Sequence, residues 1–97
     1  MAKVVWTAEA EQWLLRIHDY VARDKPEAAF HLVESIYLRT EILSSFPDIG
    51  YVYTTVSGRS LRVLLFGKYR IAYLVLRDEV RILGVFHAAM ELKTYLS

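Results

Sequence analysis

Two regimes of hydrophobic spacing divide this 97-residue chain. Between Ala10 and Leu43 the apolar residues recur every three or four positions, the spacing of one stripe on an α-helix. After Gly50 they give way to runs of β-branched and aromatic residues, the composition of strands. In the first regime Val4-Val5-Trp6 reads as a short strand, and Thr7 stands where an N-cap oxygen would satisfy free backbone N–H groups, with Glu9 and Glu11 near the positive helix end. Ala10, Trp13, Leu14, Ile17, Tyr20 and Val21 then predict a helix from Thr7 to about Arg23. Asp24-Lys25-Pro26 interrupts it, because proline suits a first turn but not a helix interior. Ala29, Leu32, Val33, Ile36, Tyr37 and Leu43 predict a second helix from Pro26 to Ser45, ended by Phe46-Pro47-Asp48-Ile49-Gly50.

The second regime holds four segments, Tyr51 to Val56, Leu61 to Phe66, Tyr69 to Leu76 and Val80 to Phe86. The turns between them, Ser57-Gly58-Arg59-Ser60, Gly67-Lys68 and Asp78-Glu79, are short and polar, which predicts an antiparallel meander. The fold class that follows is α+β: the order β-α-α-β-β-β(-β), with a helix hairpin on one face of a twisted antiparallel sheet. No repeat or linker interrupts the chain, and residues 1–97 read as a single domain.

Two-residue turns at Gly67-Lys68 and Asp78-Glu79 would fix the register. Arg62 then lies opposite Tyr73, and Arg70 opposite His87. One face carries Leu61, Val63, Leu65, Arg70, Ala72, Leu74, Leu83, Val85 and His87; the other carries Arg62, Leu64, Phe66, Ile71, Tyr73, Val75, Ile82 and Phe86. Both faces are largely apolar, and one helix hairpin covers only one of them. The helices are expected over Leu64, Ile71, Tyr73, Ile82 and Phe86, leaving Leu61, Val63, Leu74, Leu83 and Val85 at least partly open to a protein partner.

Composition narrows the chemistry. Hydrophobic residues make up 55% of the chain, a surplus for so small a core, which again points to a partner. With no cysteine, disulfides, thiolate catalysis and cysteine-ligated zinc are excluded, and three scattered histidines lack metal-ligand spacing, so neither metal nor cofactor is expected. The start of the chain has too short an apolar run for a signal peptide and no stretch approaches a membrane span, so the expected location is cytoplasmic. Twelve Lys and Arg against eleven Asp and Glu give a net charge of +1, which favours only local, not general, attraction to nucleic acid.

Several segments carry a family resemblance. Val5-Trp6-Thr7-Ala8-Glu9-Ala10, Pro26-Glu27-Ala28-Ala29, Phe46-Pro47-Asp48-Ile49-Gly50, the run from Leu61 to Tyr73 and the run from Val80 to His87 resemble, in order and spacing, the RelE/ParE toxin superfamily of type II toxin–antitoxin (plasmid stabilisation) systems. The resemblance implies growth inhibition and neutralisation by a cognate antitoxin. It also implies two activities on one fold. RelE-like members resemble ribosome-dependent messenger RNA endonucleases, and ParE-like members are associated with DNA gyrase poisoning. Phe86-His87-Ala88-Ala89-Met90-Glu91-Leu92 is closer to ParE, and the lysines that RelE places on the strand before its Tyr-Arg hairpin have no counterpart here beyond Arg62.

If the chain is a nuclease, the resemblance assigns Arg70 to hold the phosphate and His87 to act as acid or base, since imidazole titrates near neutrality. The plain alternative is that Arg70 pairs with Glu79, Glu91 or a helix carboxylate and that His87 merely ends a strand. Arg62, Arg70, Leu74, Arg81, Leu83 and His87 are the expected contacts to antitoxin or target, with acidic antitoxin residues reaching Arg70 and Arg81. Arg62 has a structural alternative against Tyr73. Trp6 and Trp13 read as core, and His18 and His31 as solvated. A gyrase-binding toxin, an endonuclease acting on messenger RNA at the ribosome, and a non-toxic binding module with the same fold all remain open to the sequence.

Overall fold

The computed structural model describes residues 1–90 and 92–96. Three helices, α1 (Ala8–Ala22), α2 (Pro26–Glu41) and α3 (Leu92–Leu96), pack on a five-stranded sheet of β1 (Lys3–Trp6), β2 (Tyr51–Val56), β3 (Arg59–Phe66), β4 (Tyr69–Val75) and β5 (Glu79–His87). A 3-10 turn, Ile42–Ser44, finishes the second helix where the sequence predicts its continuation to Ser45. Strand order is β1-β5-β4-β3-β2, and β1 runs parallel to β5 while the other pairs are antiparallel. The sheet is therefore mixed, not purely antiparallel.

Local chemistry explains the elements. Thr7 Oγ1 accepts the Ala10 N–H at 3.1 Å, the expected N-cap, and donates to the Ile82 carbonyl at 2.8 Å, so the start of α1 is locked to β5. Pro26 occupies the first turn of α2. The two helices are joined by the Tyr37 hydroxyl donating to the Glu11 carboxylate, with the Tyr37 ring 4.6 Å from that of Trp6. Burial and the adjoining carboxylate push the Tyr37 phenol up to about 12.

The main core lies between helices and sheet: Ala10, Leu14, Ile36, Leu43, Leu64, Ile71, Tyr73, Val80, Ile82 and Val85. Burying each larger side chain there stabilises the fold by roughly 1.5–3 kcal/mol. A second cluster, Val63, Ala72, Phe86 and Leu92, fills the opposite face with Trp13, Met90 and Leu96 against it.

The register corrects the expected faces. The β3–β4 hairpin turns at Gly67-Lys68 as predicted, placing Arg62 opposite Tyr73. The β4–β5 connection is longer than two residues: Val75 pairs with Val80, and the Leu76 N–H donates to the Glu79 carbonyl at 2.8 Å. The register then shifts between Tyr73↔Ile82 and Ala72↔Gly84, so β5 carries one extra residue, Leu83. Because side chains alternate, that one residue swaps faces for everything after it. Val85 joins the helix side and Phe86 leaves it, the reverse of the sequence expectation. Leu61 and Val63 on the far side are buried, and Leu74 and Leu83 are half-buried, so the open patch predicted from Leu61, Val63, Leu74, Leu83 and Val85 is largely closed. The covers are the Phe86 ring, folded back over Gly84, and α3.

The loop from Pro47 to Gly50 is pinned by one phenol. Tyr73, fully buried, donates through its hydroxyl to the Pro47 carbonyl at 2.7 Å and accepts the Gly50 N–H at 2.9 Å. Gly50 sits so close that a Cβ would lie 2.6 Å from the Val63 carbonyl oxygen and 2.7 Å from the Tyr73 hydroxyl. Tyr73→Phe leaves the Gly50 N–H buried without its acceptor and is expected to cost about 1–3 kcal/mol, read as a lower urea midpoint at unchanged slope.

Tyr37 yields a pH test. Its folded pKa of about 12 exceeds the ordinary 10.0, so its contribution to stability is complete below about pH 10 and is lost as pH rises through about 12. Tyr37→Phe is expected to make the alkaline decline in urea stability shallower across that window; an unchanged decline would show that the phenol is held neither by burial nor by Glu11 in solution.

Candidate functional site

The residues with candidate chemistry cluster around the end of the β4–β5 ladder. Tyr69 stands opposite His87 and Arg70 opposite Phe86, so Arg70 and His87 are not cross-strand partners. Neighbouring residues on a strand point to opposite faces, which puts His87 on the helix side with Tyr69 and Arg70 on the far side with Phe86. The predicted Arg70–His87 pairing is overturned by the extra residue in β5.

Each side chain has its own setting. His87 is exposed, its ring 5.8 Å from that of Tyr69 and nearly perpendicular to it. Its Nδ1 accepts the Ala89 N–H at 3.1 Å, an arrangement open only to the neutral ring with its proton on Nε2. In that tautomer His87 offers a hydrogen-bond donor at Nε2. Acting as a base through Nε2 would require moving the ring proton to Nδ1 and breaking the Ala89 contact. Arg70 is half-buried between strand neighbours Leu65 and Phe86, and among the described residues no carboxylate lies within ion-pair reach of it. Of the partners expected for it, Glu79 is held by Arg81 at 2.7 Å, and Glu91 lies outside the described residues.

The remaining predicted contacts are divided as well. Arg62 braces a loop: its Nη1 donates to the carbonyls of Asp48 at 2.9 Å and Gly50 at 2.7 Å. Its buried Nε lies 3.6 Å from Asp48 Oδ1, too long for a hydrogen bond but close enough to hold the charge. Leu74 and Arg81 are cross-strand partners on the far face, and Leu83 is the extra residue of β5. Among the described residues no group of three metal-ligating side chains converges, and no helix is long and apolar enough to cross a membrane.

What the fold does bring together is a cleft of about 550 Å3 between the second half of α1 and the end of the β4–β5 ladder. Trp13, Ile17, Tyr20 and Val21 form one wall; Tyr69, Val85, His87 and Met90 form the other; Arg16 and Lys68 add positive charge. Every charged side chain among these described lining residues is basic. Arg16 stacks over the Trp13 ring at 4.9 Å, and Trp13 in turn meets Phe86 at 4.9 Å and Tyr95 at 5.2 Å. An apolar floor with a basic rim suits an acidic amphipathic segment, whose apolar side chains displace water while its carboxylates meet Arg16 and Lys68. Sequence reasoning treated Trp13, Ile17 and Tyr20 as a core stripe and passed over Arg16, Lys68 and Tyr69. The sequence carried no local signal for the cleft, because its two walls come from segments far apart in the chain.

Comparison with known proteins matches residues 4–92 to the family model described as ParE toxin of type II toxin-antitoxin system, parDE. A relative described as "Putative toxin Y4kP", from Sinorhizobium fredii, is 36% identical over 86 residues, covering 89% of this chain and 88% of its own length. A solved structure described as the chromosomal ParDE TA system from P. aeruginosa superposes with a TM-score of 0.75 at 23% identity, covering 90% of this chain and 96% of that one. At that identity the superposition speaks to the shared fold.

The His87 tautomer is directly measurable. Long-range 1H–15N correlation spectra at about pH 8 are expected to show a protonated Nε2 and a bare Nδ1 on His87; a protonated Nδ1 would mean that the Ala89 contact is absent in solution.

Proposed function

This chain belongs to the ParE toxin family of type II toxin–antitoxin systems, and from that premise we propose that it inhibits growth by binding DNA gyrase and is neutralised by a cognate antitoxin. The observation that carries this reading is the separation of Arg70 from His87 across the sheet. Metal-free RNA cleavage needs the phosphate-holding cation and the proton-transfer group within a few ångströms of one phosphodiester. Side chains on opposite faces of a strand pair do not meet that requirement, and the Ala89 N–H on Nδ1 sets His87 as a donor, not a base. Recognition of a protein surface needs neither group to do chemistry.

In this reading residues 1–97 form one toxin domain that works in the cytoplasm, where gyrase is, and helps stabilise the plasmid or locus encoding it. The apolar, basic-rimmed cleft between α1 and the β4–β5 end is where an acidic antitoxin segment seats. Its His87 wall retains one of the contacts named from sequence. Arg70, Leu74, Arg81 and Leu83 are left to a separate contact on the far face, and Arg62 supports the Pro47–Gly50 loop instead of meeting a partner.

Four measurements test the proposal. Purified toxin is expected to inhibit gyrase supercoiling, Arg70→Ala and His87→Ala proteins are expected to leave messenger RNA uncut as the parent does, and an Arg16→Glu, Lys68→Glu variant is expected to bind antitoxin at least about tenfold more weakly. Ribosome-dependent cleavage that vanishes in Arg70→Ala would establish the endonuclease reading instead. Normal growth on expression without antitoxin would establish a non-toxic binding module.

A further inference from the structure

The sheet ends on β2, whose only strand partner among the described residues is β3, so among them its outer edge is unpaired. All six residues of Tyr51–Val56 are exposed. Natural sheets blunt such edges with charge, proline, bulges or a covering element. Here the strand reads Tyr-Val-Tyr-Thr-Thr-Val, without charge or proline, and its one irregularity falls between Val52 and Thr54. The residues leading into it add to the apolar edge: Phe46 is 60% exposed and Ile49 48%. The one charge between Phe46 and Val56, Asp48, faces the guanidinium of Arg62.

We propose that this edge is a homodimer interface, at which β2 of one copy pairs antiparallel with β2 of a second copy about a two-fold axis and joins two five-stranded sheets into one. Three features select a second copy as the occupant. A strand that meets itself must not repel itself, and this one carries no charge; Tyr, Val and Thr are also side chains that pair well across antiparallel strands. An acidic partner would find no opposite charge on this edge, whereas the cleft supplies it. The opposite edge of the sheet limits the remaining route: β1 has four residues and passes directly into α1, with the Thr7 N–H bound to the Ile82 carbonyl at 3.1 Å. A head-to-tail β1–β2 array would have only those four residues to pair with, whereas the two-fold pairing matches six residues with six and closes after one step. The exposed parts of Phe46, Ile49, Tyr51, Val52, Tyr53 and Val56 amount to on the order of 500 Å2 per copy, enough for a weak dimer that forms in a concentration-dependent way.

Sedimentation equilibrium of the purified chain over roughly 1–200 µM is expected to show the mass rising from one copy toward two. Val52→Lys with Val56→Lys should hold it at one copy with an unchanged circular dichroism spectrum, while Lys68→Glu, in the cleft, should dimerise like the parent. Because the double variant places two lysines on a strand that must still pair with β3, hydrogen exchange of the unaltered protein provides a second reading: amides between 51 and 56 should slow as concentration rises. A parent that stays at one copy throughout, a double variant that dimerises equally well, assembly that grows past two copies, or protection of 51–56 that depends only on added antitoxin would each overturn the proposal.

Discussion

One residue in the last strand governs what this sheet presents. As far as Ile82, β5 is fixed on both sides, by β1 in parallel register and by β4 in antiparallel register, and Thr7 closes the first of these with two bonds to the Ile82 carbonyl. Beyond that point β1 has ended and α1 runs in its place. The extra residue, Leu83, lets β5 change faces there without losing its pairing to β4. Val85 and His87 thereby face the helices, and Phe86 turns to the other side and closes over Gly84, where a Cβ would lie 2.5 Å from the Phe86 ring and force it to shift. The cleft wall and the cover of the far face both derive from that exchange.

Much of this was legible in the sequence, for reasons that differ by element. Thr7 as N-cap, Pro26 in a first turn and the 3.6-residue stripes of the helices are local signals, and local signals fix local structure. The Gly67-Lys68 turn was legible too, because a tight turn with a glycine at φ +57° admits few alternatives, and the β3–β4 register followed from it, including Arg62 opposite Tyr73. The β4–β5 register was not. Asp78-Glu79 looks like a two-residue turn, but the loop begins at Leu76, and the bulge at Leu83 is a response to β1, α1 and β4 acting together on one strand. No short-range pattern encodes that competition, and it decides whether Arg70 and His87 meet. α3 went unpredicted because five residues are too few to display a period.

The two surfaces proposed above as partner sites differ in physical kind. The cleft is concave and basic at its rim, so charge can orient what enters it. The β2 edge is neutral and offers backbone pairing and apolar area, which select for shape and strand propensity instead. Having both on a chain of 97 residues is consistent with its surplus of hydrophobic residues, since a small core cannot absorb them all. A shared fold with other toxins sets where such surfaces lie, while the side chains on them set what they recognise.

The parallel pairing of β1 with β5 also bears on how the molecule is made. Lys3 finds Glu79 and Trp6 finds Ile82, so β1, made before the helices, has its partner in β5, made after the meander that precedes it. During translation α1 and α2 can fold as a hairpin, yet their apolar faces and β1 itself must wait until β5 has emerged from the ribosome. One wall of the cleft comes from Trp13 to Val21 and the other from Lys68 to Met90, so it too is assembled only at that stage. Until β5 is made, the chain therefore has the helix wall of the cleft without the strand wall, an order imposed by topology alone.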